Sequence, residues 1–248
     1  MLDSTVSGPA RSLLAAIDVL QGCERFPLSV LPHLILFFSG EKPAARLVLE
    51  ERICSELHAR MRFLGHSCAI GRVHVSHVGS HWGQISNCDP SSEGIEAQQV
   101  LVLSTTDAHA ASVLEMELTG DSREAGAALG YPSCCIAGYP SLANQAEQWP
   151  TVMLARSEAT LSTSVWCNRL ASLWGGTCPT GELFPCQLHC PQAIQLGKRA
   201  DGLLREHGFQ LIADEILSQA ARPIQLLDGE VVAGPGTVSG GREIEIRI

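Results

Sequence analysis

The chain has 248 residues, 45% of them hydrophobic and 17% charged, with a formal charge of -9. That is long and apolar enough for a packed core and excludes a disordered chain, and the acidic balance argues against electrostatic docking on nucleic acid or anionic lipid. The longest apolar run, "LPHLILFFSG", is about half the length of a membrane span, and "MLDSTVSGPARSLLAAIDVL" lacks the basic start and cleavage site of a secretory signal. A cytoplasmic protein is therefore expected, with no nucleic-acid and no membrane partner. In a reducing compartment ten cysteines point to metal or redox chemistry where they cluster, and to buried small hydrophobes where they are dispersed, as at Cys23 and Cys54.

In chain order, Leu13, Leu14, Ile17 and Leu20 behind Pro9 predict a helix over 9–21. "HLILFFSG" reads as a short buried strand, and Leu47, Leu49, Ile53, Leu57 and Met61 predict one long helix from Lys42 to Phe63. "HSCAIGRVHVSHV" and "QQVLVLSTT" predict strands, and "DAHAASVLEMEL" a helix capped by Thr106 or Asp107. "SREAGAALG" predicts a short helix that must turn ahead of Tyr131-Pro132. "SLANQAEQW" is expected to be helical, 151–172 helical or irregular, and "GGTCPTGELFPC" a loop. Helices follow from Pro191 to about Glu206 and over "FQLIADEILSQAA", and the tail offers strands in "PIQLLDG" and "REIEIRI" around a glycine-rich loop. The expected fold is a single mixed α/β domain. Its parts are a mixed α/β region over about 1–120, a helical and loop-rich cysteine-motif region over about 121–222, and C-terminal strands over about 223–248.

Chemistry concentrates in two short stretches. "GYPSCC" carries Cys134 and Cys135, and "FPCQLHCP" carries Cys186, His189 and Cys190. Two groups of soft thiolates stiffened by Pro132, Pro185 and Pro191 are a usual way to build a zinc or iron-sulfur site. Neighbouring side chains are expected to diverge, which favours a larger cluster over one small tetrahedral ion. Iron-sulfur is thus ranked ahead of zinc, with buried structural cysteines and a vicinal-thiol redox switch as the other readings. His189 is a third candidate ligand, a proton donor or a helix cap. Tyr131, Asn168 and Arg169 are candidate substrate-orienting groups, Arg169 suiting a carboxylate. His74, His77 and His81 form a weaker candidate metal group, because His74 and His77 point to opposite faces of a strand. Neither a Gly-x4-Gly-Lys phosphate loop nor a Gly-x-Ser-x-Gly element occurs.

"LGYPSCC" at 129–135, "WCNRL" at 166–170 and "FPCQLHCPQAIQLGKR" at 184–199 are similar to a prokaryotic family catalogued as a domain of unknown function, in which Gly-Tyr-Pro-x-Cys-Cys precedes Pro-Cys-x3-Cys. The resemblance spans Leu101 to Arg205. It implies that Gly130, Tyr131, Pro132, Cys134, Cys135, Asn168, Pro185, Cys186 and Cys190 belong together, and it brings no reaction with it. A looser analogy is to the CCG domains of heterodisulfide reductase-like proteins, with Cys88 as the upstream cysteine. Against it, Ile136 stands where that motif has glycine, and the last cysteine pair is separated by three residues instead of two. The expected function is a metal-dependent enzyme whose iron-sulfur cluster binds or activates a small-molecule or peptide substrate in redox or sulfur chemistry. The alternative is a zinc-stabilised binding or scaffold protein.

Overall fold

The computed structural model describes residues 7–24, 26–76, 84–86, 95–139, 164–167, 177–221, 224–227, 230–233 and 243–246. Helix α1 (Gly8–Leu20) starts at Ser7, whose hydroxyl accepts the Ala10 N–H, with proline in its first turn. A 3-10 turn (Leu28–Val30) leads into α2 (Leu31–Phe38), followed by β1 (Ala44–Leu49), α3 (Glu51–Phe63), β2 (Ser67–Ser76), β3 (Gln84–Ser86) and β4 (Ile95–Ser104). Helix α4 (Asp107–Thr119) is capped by the Thr106 hydroxyl on the His109 N–H, as expected from sequence. After α5 (Ser122–Ala128) and α6 (Ser133–Gly138) come the long α7 (Pro191–Glu206) and α8 (Gln210–Ala220). Strands β5 (Ile224–Leu227), β6 (Glu230–Ala233) and β7 (Glu243–Ile246) close the chain.

The main sheet runs β1-β4-β2-β3, with antiparallel pairing throughout; Ala44 and Ser67 both register on Ser104 from opposite sides of β4. Alternation on these strands separates two apolar faces. Ala45, Leu47, Leu101 and Leu103 face the larger core with α1, α2, α3, α7 and α8. Ala44, Val100 and Val102 face Ala110 and Val113 of α4 and Leu129. Helices on both faces of a sheet make the mixed α/β fold. Because α7 and α8 contribute Ala200, Leu203, Leu204 and Ile216 to the core shared with α1–α3, the cysteine-motif region is built onto the N-terminal one. Strands β6, β5 and β7 form a separate antiparallel sheet. Among the described residues, no helix is long and apolar enough to cross a membrane.

Two predicted elements are corrected. The run expected as a strand at "HLILFFSG" is α2, whose residues Leu31 to Phe37 are all buried. A helix covered on every side is apolar all round and carries no periodicity to distinguish it from a buried strand. The long helix expected from Lys42 to Phe63 is two elements, β1 and α3, divided at Glu50, where φ is -55° and ψ 146°. Leu47 and Leu49 are two apart, the strand period, and share the core face of β1, whereas Ile53, Leu57 and Met61 keep the helical period. The tail holds β6 in addition to the two expected strands. Of the stretches 141–149 and 151–172, expected to be helical or irregular, only 164–167 is among the described residues, with a 3-10 turn at Val165–Cys167.

Candidate metal centre

Two residues past the end of α5, Gly130 has a φ of +72°, the left-handed conformation that glycine adopts without a Cβ penalty. The same position tolerates no side chain for a second reason: a Cβ there would sit 2.7 Å from Pro43 Cδ. Tyr131 then returns its N–H to the Gly126 carbonyl (3.0 Å), and the Pro132 carbonyl accepts the N–H groups of Cys135 (2.9 Å) and Ile136 (3.0 Å) to open α6. The Gly-Tyr-Pro turn thereby sets Cys134 and Cys135 in the first turn of a helix.

Cys190 occupies the N-cap of α7, with Pro191 in the first turn and the Ile194 N–H donating to its carbonyl at 2.9 Å. Its sulfur lies 3.5 Å from Cys134 Sγ and 3.6 Å from Cys135 Sγ, and Cys134 and Cys135 place their own sulfurs 3.9 Å apart. Cys186 comes from the segment before α7, packed on Gly138 of α6 so closely that a Cβ on that glycine would meet Cys186 Cβ at 2.9 Å. All four sulfurs lie within 4.8 Å of one another. The expectation that adjacent cysteines diverge fails here: in the first turn of α6 the pair converges on the same side, toward Cys190.

Cys135 and Cys190 are buried, and Cys134 and Cys186 are half-buried. Burial, reinforced by Cys190 and Cys186 and opposed by a hydrogen bond from the Cys186 backbone, holds the Cys135 thiol far above the ordinary value. Burial and then Cys190 push Cys186 up to about 12. Burial acts on Cys190 in the same sense, but the Ala193 backbone N–H and the thiols of Cys134, Cys135 and Cys186 outweigh it and lower its pKa. The helix N-terminus and the neighbouring thiols thus favour the thiolate at Cys190, while burial favours the thiol at Cys135 and Cys186; a divalent ion among the sulfurs would favour the thiolate at each. The four cysteines are placed to bind a metal ion.

The other candidates divide. His189 is exposed and stands outside the four-sulfur group. Tyr131 packs against the cluster that contains Cys135, Cys167 and Cys190. Asn168, Arg169, Cys88, His77 and His81 lie outside the described residues, and His74 is in β2 opposite Ser86 and Ala97. Two buried thiols that sequence reading left unassigned, Cys167 and Cys178, stand nearby. Burial raises the Cys167 pKa, with Cys178, Cys190 and Cys186 adding to it, and its sulfur lies 3.5 Å from the Leu188 carbonyl. The 3-10 turn that carries Cys167 (Val165–Cys167) rests on α7 through Gly197, where a Cβ would meet the Trp166 carbonyl oxygen at 2.1 Å.

Behind Tyr131 lies a polar group with no sequence signature. Lys42 is 2% exposed, with Nζ 4.2 Å from the Tyr131 ring centroid and 3.2 Å from His33 Nδ1. The Glu182 backbone N–H donates to His33 Nε2 at 2.9 Å, tying α2 to the segment that leads to Cys186. Arg46 bridges Glu117 (2.9 Å) and Glu182 (3.0 Å). Burial, then the Arg46 charge, lower the Lys42 pKa to about 7 against the pull of Glu182. Despite its burial, Arg46 is held above its ordinary value by Glu117 and Glu182.

Compared with family models, curated proteins and solved structures, the chain matches none.

Proposed function

We propose that Cys134, Cys135, Cys186 and Cys190 hold one tetrahedral zinc ion, and that this ion fixes the starts of α6 and α7 and the segment between 177 and 190 on the α/β core. The observation that carries this reading is the mutual closeness of the sulfurs. Metal–sulfur bonds of about 2.3 Å make the edge of a thiolate tetrahedron about 3.8 Å. The sulfur pairs at 3.5, 3.6 and 3.9 Å bracket that edge. An iron-sulfur cluster hangs its cysteines on different iron atoms and spreads them wider. Zinc, the alternative in the sequence reading, is therefore preferred here to the cluster. Four thiolates complete the coordination shell, and a closed shell is the mark of a structural site, which supports a scaffold or binding role over substrate activation at the metal.

A second reading keeps the redox expectation. A single iron on the same four sulfurs would exchange one electron, with the half-buried Cys134 and Cys186 at the edge facing a partner. Cobalt substitution tests both. Cobalt(II) in four thiolates gives intense charge-transfer and visible absorption, titrating to one equivalent per chain and competed off by zinc. Saturation at a higher ratio, or an absorption typical of oxygen and nitrogen ligands, would overturn the four-cysteine assignment. Red protein as purified, with one iron and no acid-labile sulfide, would favour the second reading.

A further inference from the structure

The imidazole of His33 stands between two partners that constrain it from opposite sides. Its Nε2 accepts the backbone N–H of Glu182 at 2.9 Å, a donor that has no alternative role. Nε2 therefore carries the lone pair, and in the neutral ring the proton is on Nδ1. That proton points at Lys42 Nζ, 3.2 Å away. An ammonium has three donors and no acceptor, so the contact is a hydrogen bond only if Lys42 is an amine whose own lone pair receives it.

We propose that Lys42 and His33 form a proton-controlled latch: with Lys42 an uncharged amine, His33 holds Glu182 in place, and protonation of Lys42 releases it. Once Nζ is an ammonium, it must donate to Nδ1. The ring proton then shifts to Nε2 and confronts the Glu182 N–H, so one of the two hydrogen bonds is lost. The segment seats closely on His33: Gly181 has φ +60°, and a Cβ there would fall 2.5 Å from the Ser29 carbonyl oxygen and 2.7 Å from His33 Nε2.

The groups facing Lys42 set the direction. His33 comes from α2, the Arg46 cation from β1, the Tyr131 ring from the turn before α6 and the Glu182 carboxylate from the 177–190 segment. Glu117 of α4 engages Arg46, and Glu41, the neighbour of Lys42, is turned outward to Arg199. Burial and Arg46 outweigh Glu182, which sets the transition near neutral pH, with release on the acid side. Its consequence at Cys186 and Cys190 rests on the zinc reading, but the latch itself does not, and it is tested without reference to the metal.

The test is nitrogen-15 NMR of the histidine rings together with amide exchange in the full chain. At pH 8.5 the wild-type His33 signal should be that of the tautomer protonated on Nδ1. Between pH 8.5 and 5.5 the protection factor of the Glu182 amide should fall about fivefold, the loss of one neutral hydrogen bond. In Lys42→Met that protection should be independent of pH. A His33 proton on Nε2 at pH 8.5 would overturn the proposal, whether or not the variant folds. So would the same fall in Lys42→Met, since it would trace the effect to titration of His33 itself.

Discussion

Cys134 and Cys190 are 56 positions apart in the chain and 3.5 Å apart at their sulfur atoms. Their neighbours Cys135 and Cys186 complete a group in which every sulfur lies within 4.8 Å of the others. Such a group has no reason to stay together as neutral thiols, which make weak hydrogen bonds. As ligands, the same side chains bind two helix starts and a loop to one point.

Removing the metal should therefore loosen the fold locally and lower its stability. Chelation at neutral pH, or Cys190→Ser, is expected to lower Tm by about 10 °C, given about 2–4 °C per kcal/mol for a chain of this size. Thermal unfolding with and without chelator checks it. A Tm in Cys190→Ser that is insensitive to chelator and equal to that of the wild type would contradict a load-carrying ion.

Gly138 and Gly202 make a matched pair of substitutions. Alanine at Gly138 puts a methyl 2.9 Å from Cys186 Cβ, while alanine at Gly202 in α7 meets nothing within 4 Å. Gly138→Ala should cost about 1–3 kcal/mol and weaken metal binding, as overpacking does. Gly202→Ala should stabilise by about 0.5–1 kcal/mol, the usual gain from alanine over glycine in a helix. Denaturant titrations and zinc competition assays measure both.

Gly197→Ala should be more damaging than Gly138→Ala. The added methyl collides with the Trp166 backbone oxygen at 2.1 Å, and backbone cannot swing aside as a side chain does. The expected loss is about 3 kcal/mol, with displacement of the Val165–Cys167 turn from α7. Denaturant unfolding and Trp166 fluorescence would register the two effects.

Lys42 gives stability a pH dependence whose sign is fixed. Its pKa falls from 10.5 to about 7 on folding. Below pH 7 both states are protonated and burial of the ammonium costs in full. Between pH 7 and 10.5 only the unfolded state holds the proton, so this residue's cost shrinks by about 1.4 kcal/mol per pH unit as pH rises. Above 10.5 the cost is gone. Lys42→Met removes this cost but leaves the His33 Nδ1–H without its acceptor, so its stability relative to the wild type should be higher at pH 7 than at pH 10. Unfolding of both proteins at the two pH values gives the comparison directly.

Much of this was legible in the sequence where a local signal has a single meaning. Thr106 and Pro191 mark helix starts through a cap and a fixed φ, and α4 and α7 begin where these residues place them. The four site cysteines were legible because they are clustered beside prolines. What escaped depends on tertiary surroundings. Apart from His33, α2 is apolar on every side and has no periodicity, and the division at Glu50 lies between apolar residues of strand period and apolar residues of helical period that follow one another without a break in spacing. The convergence of Cys134 and Cys135 escaped as well, because it follows from the turn at Gly130 and the opening of α6. Lys42 and His33 carry no motif, and their relationship exists only once Glu182 is brought between α2 and the cysteine segment.

The central claim is one metal ion inside four sulfurs, and X-ray absorption at the metal edge tests it most directly. The account predicts a first shell of four sulfurs at about 2.3 Å with no metal neighbour beyond it. A shell with nitrogen or oxygen donors, or a second metal scatterer close to the first, would contradict it.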